Sequence, residues 1–167
     1  MLKAKKSSSL HYEIIDEIMK ITEKFKTDKT LFAFELLPPL KGDTINTLYS
    51  TIDTLREYAP SYINVTYHRE EVKFIEREGG LLEKRIVRKR PGTVGISAAI
   101  QARYGIDVVP HLICGGFSVI DTEDALIEMN FLGIDNVLAL RGDNVRGEHT
   151  FRPVEGGHLH ASSLVRQ

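Results

Sequence analysis

Four short apolar runs each end in a group that can do chemistry. They close at Phe34-Glu35, at Val65-Thr66-Tyr67-His68, at Val109-Pro110-His111 and at Leu140-Arg141-Gly142-Asp143. A buried strand has no cheap place for Glu, His or Arg unless that end faces a site, because unpaired polar burial costs several kcal/mol. Glu35 lies between Phe34 and the pair Leu36-Leu37, whose desolvation is expected to raise its pKa and make it a general acid near neutral pH. An ion-paired glutamate is the other reading. In Arg141-Gly142-Asp143 the arginine can clamp a diphosphate through paired donors, and the glycine lets backbone come close to a ligand. A salt-bridged turn is the plainer reading of that tripeptide. His111 follows Pro110, which denies the strand one amide and is expected to leave the histidine in the loop beyond it. A satisfied core histidine is the alternative there. Cys114 reads as packing. His68 reads equally as a surface group or a ligand, and His149 and His158 lack metal-like spacing.

These groups meet only if successive strands run the same way. The strands are expected at 31–37, 62–67, 106–109 and 136–140. Between them, apolar spacings and caps predict helices. Ile14, Ile18, Ile21 and Phe25 mark one over 11–25, behind a frayed tail at 1–10. Ile45, Leu48, Ile52 and Leu55 mark the next, capped by Asp43 or Thr44 and ended by Pro60. A third is expected from Pro91 or Thr93 to Tyr104, with Gly105 as a left-handed cap. A fourth opens at Asp121 or Thr122, shows Leu126, Met129 and Leu132, and stops at Gly133; a last helix starts near Ala161. The charged stretch 69–90 interrupts this rhythm and reads as a hairpin turning at Gly79-Gly80.

Strand ends recur at about 30 residues, the length of one βα repeat, except across the excursion. Alternating strands and helices predict an α/β fold with a parallel sheet. A complete (βα)8 barrel typically needs about 250 residues, so 167 residues fit its first four βα units, 31–167, behind an N-terminal tail and helix, 1–30. A flavodoxin-like open sheet competes at this length. The barrel is preferred because every strand end carries a site group.

Bulk composition narrows the function. Apolar content is 42%, and 22 basic residues against 23 acidic leave a net charge of −1, with no global pull toward nucleic acid or anionic lipid. The basic run at Lys84-Arg85 and Arg88-Lys89-Arg90 follows interleaved glutamates and reads as a solvated hairpin, not an RNA site. One cysteine excludes an intramolecular disulfide and fits a reducing compartment. With no signal-like or membrane-length apolar run, the cytoplasm is the expected location. No G-x-G-x-x-G or P-loop is present.

Taken together, Phe34-Glu35-Leu36-Leu37-Pro38-Pro39, Val65-Thr66-Tyr67, Pro110-His111-Leu112-Ile113-Cys114 and Leu138-Ala139-Leu140-Arg141-Gly142-Asp143 resemble the 5,10-methylenetetrahydrofolate reductases. His160-Ala161-Ser162-Ser163-Leu164-Val165 is similar to a Tyr-Ala-Ser-Asp-Leu-Val segment of that family, departing at His160 and Ser163. The resemblance runs from 31 to 167 and implies a flavoprotein on a TIM-type (βα)8 barrel. Its members pass a hydride from NADH or NADPH to FAD and on to methylenetetrahydrofolate, giving 5-methyltetrahydrofolate for one-carbon metabolism and methionine supply. It implies that Glu35 is the acid that opens the folate ring, and that Asp143 binds folate and tunes the flavin. It implies FAD contacts from Thr66, Tyr67, His111, Leu140, Arg141, Gly142, Asp143, His160 and Ala161. Tyr67 could instead fill the wall. The partners implied are the folate substrate and further copies of the complete enzyme, with no nucleic acid, no membrane and no metal. A non-catalytic half-barrel that needs a complementing chain is the competing expectation.

Overall fold

The computed structural model describes residues 20–26, 30–145 and 148–167. In chain order they form α1 (Ile21–Lys24), β1 (Ala33–Leu36), α2 (Ile45–Leu55), β2 (Tyr62–Val65), β3 (Glu71–Arg77), β4 (Leu81–Val87), α3 (Thr93–Tyr104), β5 (Val108–Ile113), α4 (Val119–Phe131), β6 (Leu138–Leu140) and α5 (Ala161–Leu164). The expected tail at 1–10, and the expected helix up to residue 19, lie outside the described residues.

β1, β2, β5 and β6 make one parallel sheet in that order. The order follows the chain without reversal, so the sheet has no switch point of the flavodoxin kind. Side chains alternate across a strand, and here the alternation separates two environments. Leu36, Ile63, Val65, Val108 and Leu112 face a core completed by Leu48 and Ile52 of α2, Ile96 and Ile100 of α3, and Ala125 and Met129 of α4. Glu35, Asn64 and Val109 are register partners on the opposite face, followed there by His111, which pairs with Leu138. The helices therefore cover one face, as in a barrel wall seen from outside. The fold is α/β with four parallel βα units of TIM-barrel type.

Caps and boundaries differ from expectation at three places. Ser118, not Asp121 or Thr122, caps α4. Its hydroxyl accepts from the Asp121 amide at 3.1 Å, and the Asp121 carboxylate accepts from the Ser118 amide at 2.9 Å, a reciprocal box. Thr44, one of the two expected caps of α2, holds the N-cap position but makes no side-chain cap bond, and Asp43 instead accepts from the Leu40 amide at 3.2 Å. β5 also continues through Pro110 to Ile113, so His111 sits within the strand and not in the loop. The Ile63 amide donates to Asp107 and the Cys114 amide to Leu140. By alternation, the missing Pro110 amide points to the β6 side, below Leu138 where that ladder begins. The proline removes no available bond, so the strand survives it.

α3 ends as expected, with Gly105 in the left-handed region at φ 62°. β3 and β4 form the expected antiparallel hairpin, turning through Glu78–Gly80 with Gly79 at φ 81°. At the other end of the sheet α1 is pinned to the strand N-termini. The Ile21 amide donates to Asn136 Oδ1, and Lys24 pairs with the buried Asp107 and donates to the Ser61 carbonyl. The opposite, C-terminal ends are left to the loops.

Candidate active site

The strand C-termini bring several expected residues to one rim. Glu35 projects from the face that the helices do not cover, and its carboxylate is exposed. This corrects the expected desolvation by Phe34, Leu36 and Leu37. Phe34 and Leu36, one residue away on a strand, point to the other face, and Leu37 is itself 50% exposed. Thr66 lies just past β2, where both its amide (3.0 Å) and its hydroxyl (3.2 Å) donate to the Leu36 carbonyl. Its hydroxyl keeps its lone pairs free to accept.

His111 is 5% exposed, and its Nε2 is buried without a hydrogen-bond partner. Burial pushes the imidazole below its ordinary pKa, and the Glu35 carboxylate pulls it back up. The histidine is thus a buried neutral ring that feels the charge of the acid two strands away. Its carbonyl accepts from Thr93 Oγ1 at 3.4 Å, which fixes the start of α3 to β5.

The loop after β6 turns onto the same face. Gly142 adopts φ 82°, and a Cβ there would stand 3.2 Å from the Ile113 side chain. Glycine is required twice at this position, for the left-handed backbone and for the close approach. Asp143 follows it and is exposed; Leu140, paired with Ile113, is half-buried.

Arg141 points elsewhere. Its guanidinium lies 5.0 Å from the Phe151 ring centroid, and its carbonyl accepts from the Gly115 amide at 3.2 Å. Among the described residues it forms no ion pair with Asp143, so the tripeptide is not a salt-bridged turn. Tyr67 also leaves the open face: its ring packs 4.7 Å from that of Phe117, and its hydroxyl accepts from Arg88 at 3.3 Å. Beside it, a groove of about 1220 Å³ runs between the base of the hairpin, the start of α3 and the loop before α4. His160 precedes the single turn of α5 without a capping bond, and Ala161 opens that turn. Cys114 is buried in the core, where burial pushes its thiol pKa up. His68 and His149 are exposed, and His158 bonds Gln167 at 2.7 Å.

Two residues at the rim escaped the sequence reading. Asn64 is level with Glu35 and shares its face. A lone amide inside Tyr-Ile-Asn-Val was the available signal. Arg69 lines the groove with one guanidinium nitrogen buried and unpartnered. It stands in a charged stretch where nothing in the sequence distinguished it.

Consecutive parallel strands in unreversed order, with helices on one face, define part of a (βα) barrel wall, and polar groups stand at the strand C-terminal ends, the end at which barrel enzymes carry their chemistry. Residues 17–167 match the family model described as methylenetetrahydrofolate reductase, and the chain belongs to that family. It is 30% identical over 153 residues to methylenetetrahydrofolate reductase (NADH) 1 of Arabidopsis thaliana, covering 92% of this chain and 23% of the plant protein. Methylenetetrahydrofolate reductase 2 of Saccharomyces cerevisiae is 29% identical over 154 residues, covering 89% of this chain and 23% of its own length. The 5,10-methylenetetrahydrofolate reductase of Pectobacterium carotovorum is 30% identical over 135 residues, 80% of this chain and 37% of its own length. The chain thus spans about a quarter to a third of the curated relatives it matches.

Proposed function

We propose that the barrel to which this chain contributes reduces 5,10-methylenetetrahydrofolate to 5-methyltetrahydrofolate, with FAD as cofactor and NADH or NADPH as reductant. In this reading residues 31–167 are the first half of the barrel. One observation carries it: Glu35 and the buried, partnerless His111 Nε2 share an open face onto which Gly142 turns the following loop. That set fits a flat, hydrogen-bonding cofactor, because an orphaned buried nitrogen needs a ligand atom and the glycine admits a close one.

When bound, FAD supplies hydride transfer, accepting from the reduced nicotinamide and giving to the folate. The chain's own groups prepare the substrate. Glu35 donates its proton to the departing nitrogen as the folate ring opens to an iminium, the form that accepts hydride. A ligand over the face removes water from Glu35, supplying the desolvation that its strand neighbours do not. Thr66, held by Leu36, offers lone pairs to the cofactor ring. His111, kept neutral by burial, offers Nε2. Asp143 adds a negative charge near the cofactor and a folate contact, Arg141 binds the diphosphate segment, and His160 with Ala161 lies toward the adenosine.

The test is Glu35→Gln in the full-length protein. Folate reduction is expected to fall about 10²- to 10⁴-fold, the usual worth of a general acid, while flavin reduction by NAD(P)H continues at its original rate. Equal loss of both half-reactions would show that Glu35 is not the acid. A second reading has its own support: β1 and β6 each leave an edge unpaired among the described residues, and open edges invite association. Under that reading the 167-residue chain is a non-catalytic half that another chain completes. A preparation of this chain that stays colourless with added FAD is its expected signature.

A further inference from the structure

We propose that Arg69 is a second diphosphate-binding arginine, closing with Arg141 a clamp of two guanidiniums across Phe151; this rests on the dinucleotide-dependent function above. Two shared neighbours, Gly115 and Phe151, bring the two cations together. A Cβ built on Gly115 would meet Arg69 Nη1 at 3.2 Å and Phe151 Cε2 at 3.3 Å, so both atoms crowd the same point. Arg141 stacks over that same phenyl ring at 5.0 Å, and its carbonyl accepts from the Gly115 amide. Neither arginine forms an ion pair among the described residues. Glu70, adjacent to Arg69 in sequence, is engaged by Arg88 at 3.5 Å instead. Arg69 Nη1 is buried and unpartnered.

Two like charges gathered around Gly115 and Phe151, one of them with a buried idle donor, repel each other and leave a donor desolvated. An anion with two charged groups relieves both costs at once. A diphosphate offers acceptor oxygens on two adjacent phosphates, one for each planar fork. Gly115 keeps the floor between the forks free of a side chain. The diphosphate belongs either to the flavin dinucleotide or to the nicotinamide dinucleotide, and the chemistry of the clamp is the same for both.

The test uses the full-length protein with Arg69→Met, which keeps the apolar stem, and Arg69→Lys, which keeps the charge. Binding of FAD and of riboflavin is followed by flavin fluorescence, and the KM for NADH by flavin reduction. Arg69→Met is expected to weaken FAD binding about ten- to hundredfold, the worth of a hydrogen bond to a charged group. Arg69→Lys should recover part of this, and riboflavin, which lacks phosphate, should bind both variants as it binds the parent. Unchanged FAD binding with a raised KM for NADH would support the clamp and assign it to the nicotinamide dinucleotide. Equal weakening of riboflavin and FAD would overturn it, because the arginine would then be structural. If Arg69→Met changed neither ligand while Arg141→Met weakened FAD, Arg69 would be excluded and the reductase reading would stand. If the parent protein bound no flavin, that reading would fall and the clamp with it.

Discussion

On one face of the parallel sheet Ile63, Val65 and Val108 are sealed beneath α2 and α3 with at most 1% of their surface exposed. On the other face, built from the alternate residues of the same strands, Glu35 is open to solvent and Asn64 is half-buried. The first face is held chiefly by the hydrophobic effect, with apolar side chains of strand and helix packed on one another. The second holds a carboxylate and an amide as register partners and an imidazole two residues beyond their partner Val109. Stability and chemistry are therefore segregated by the period-two geometry of a strand, and neighbouring residues in sequence can belong wholly to one role or the other.

Ile63 and Asn64 test this segregation most sharply. Ile63→Ala empties a fully buried site and is expected to cost about 2–5 kcal/mol of unfolding free energy. Asn64→Ala, one residue on, should lie within about 0.5 kcal/mol of the parent, as substitutions outside the core usually do. Urea unfolding of both variants measures the difference. Comparable losses would mean that the open face is structural and the division is false.

Gly142 marks where the loop after β6 closes on the functional face, so its replacement probes the boundary between the two regions. Gly142→Ala forces a Cβ into the left-handed region and against Ile113 at 3.2 Å. A cost of about 1–3 kcal/mol is expected, below that of Ile63→Ala, together with displacement of Asp143 from the rim. Thermal unfolding reads the first and cofactor affinity the second. A fully stable Gly142→Ala variant would show that the loop does not rest on the sheet.

The sequence disclosed the covered face better than the open one, for a physical reason. Leu48 and Ile52 on α2, and Ile96 and Ile100 on α3, repeat at helical spacing, and the strand runs are apolar, so burial wrote itself into the pattern. The strand ends at Glu35, Thr66 and His111 were visible because a polar group closes each apolar run. What failed was inference along the chain. Phe34 and Leu36 flank Glu35 in sequence but face away from it in space. Pro110 looked like a strand end until the ladder on its far side proved to start later, at Leu138. Arg69 was invisible because its significance comes from Gly115 and Phe151, some 46 and 82 positions distant, which no local pattern reports.

The smallest expected effect concerns the coupling of Glu35 to His111 on the open face. Burial holds the folded imidazole below the ordinary value of about 6.5, while the carboxylate opposes that shift. Below that pH the unfolded chain binds the proton more readily than the folded one. Stability therefore rises with pH through this window, is fully present above it, and is lost as acid approaches the folded value. His111→Gln should flatten the slope of unfolding free energy between about pH 5 and 6.5. Glu35→Gln removes the carboxylate charge that favours an imidazolium, so the folded ring resists protonation more strongly and the slope should steepen. Opposite changes of slope in the two variants are the signature of two face residues that sense each other. If Glu35→Gln left the acid-side slope as it was, the two side chains would share a face without sharing a field, and the acid would act without help from the histidine.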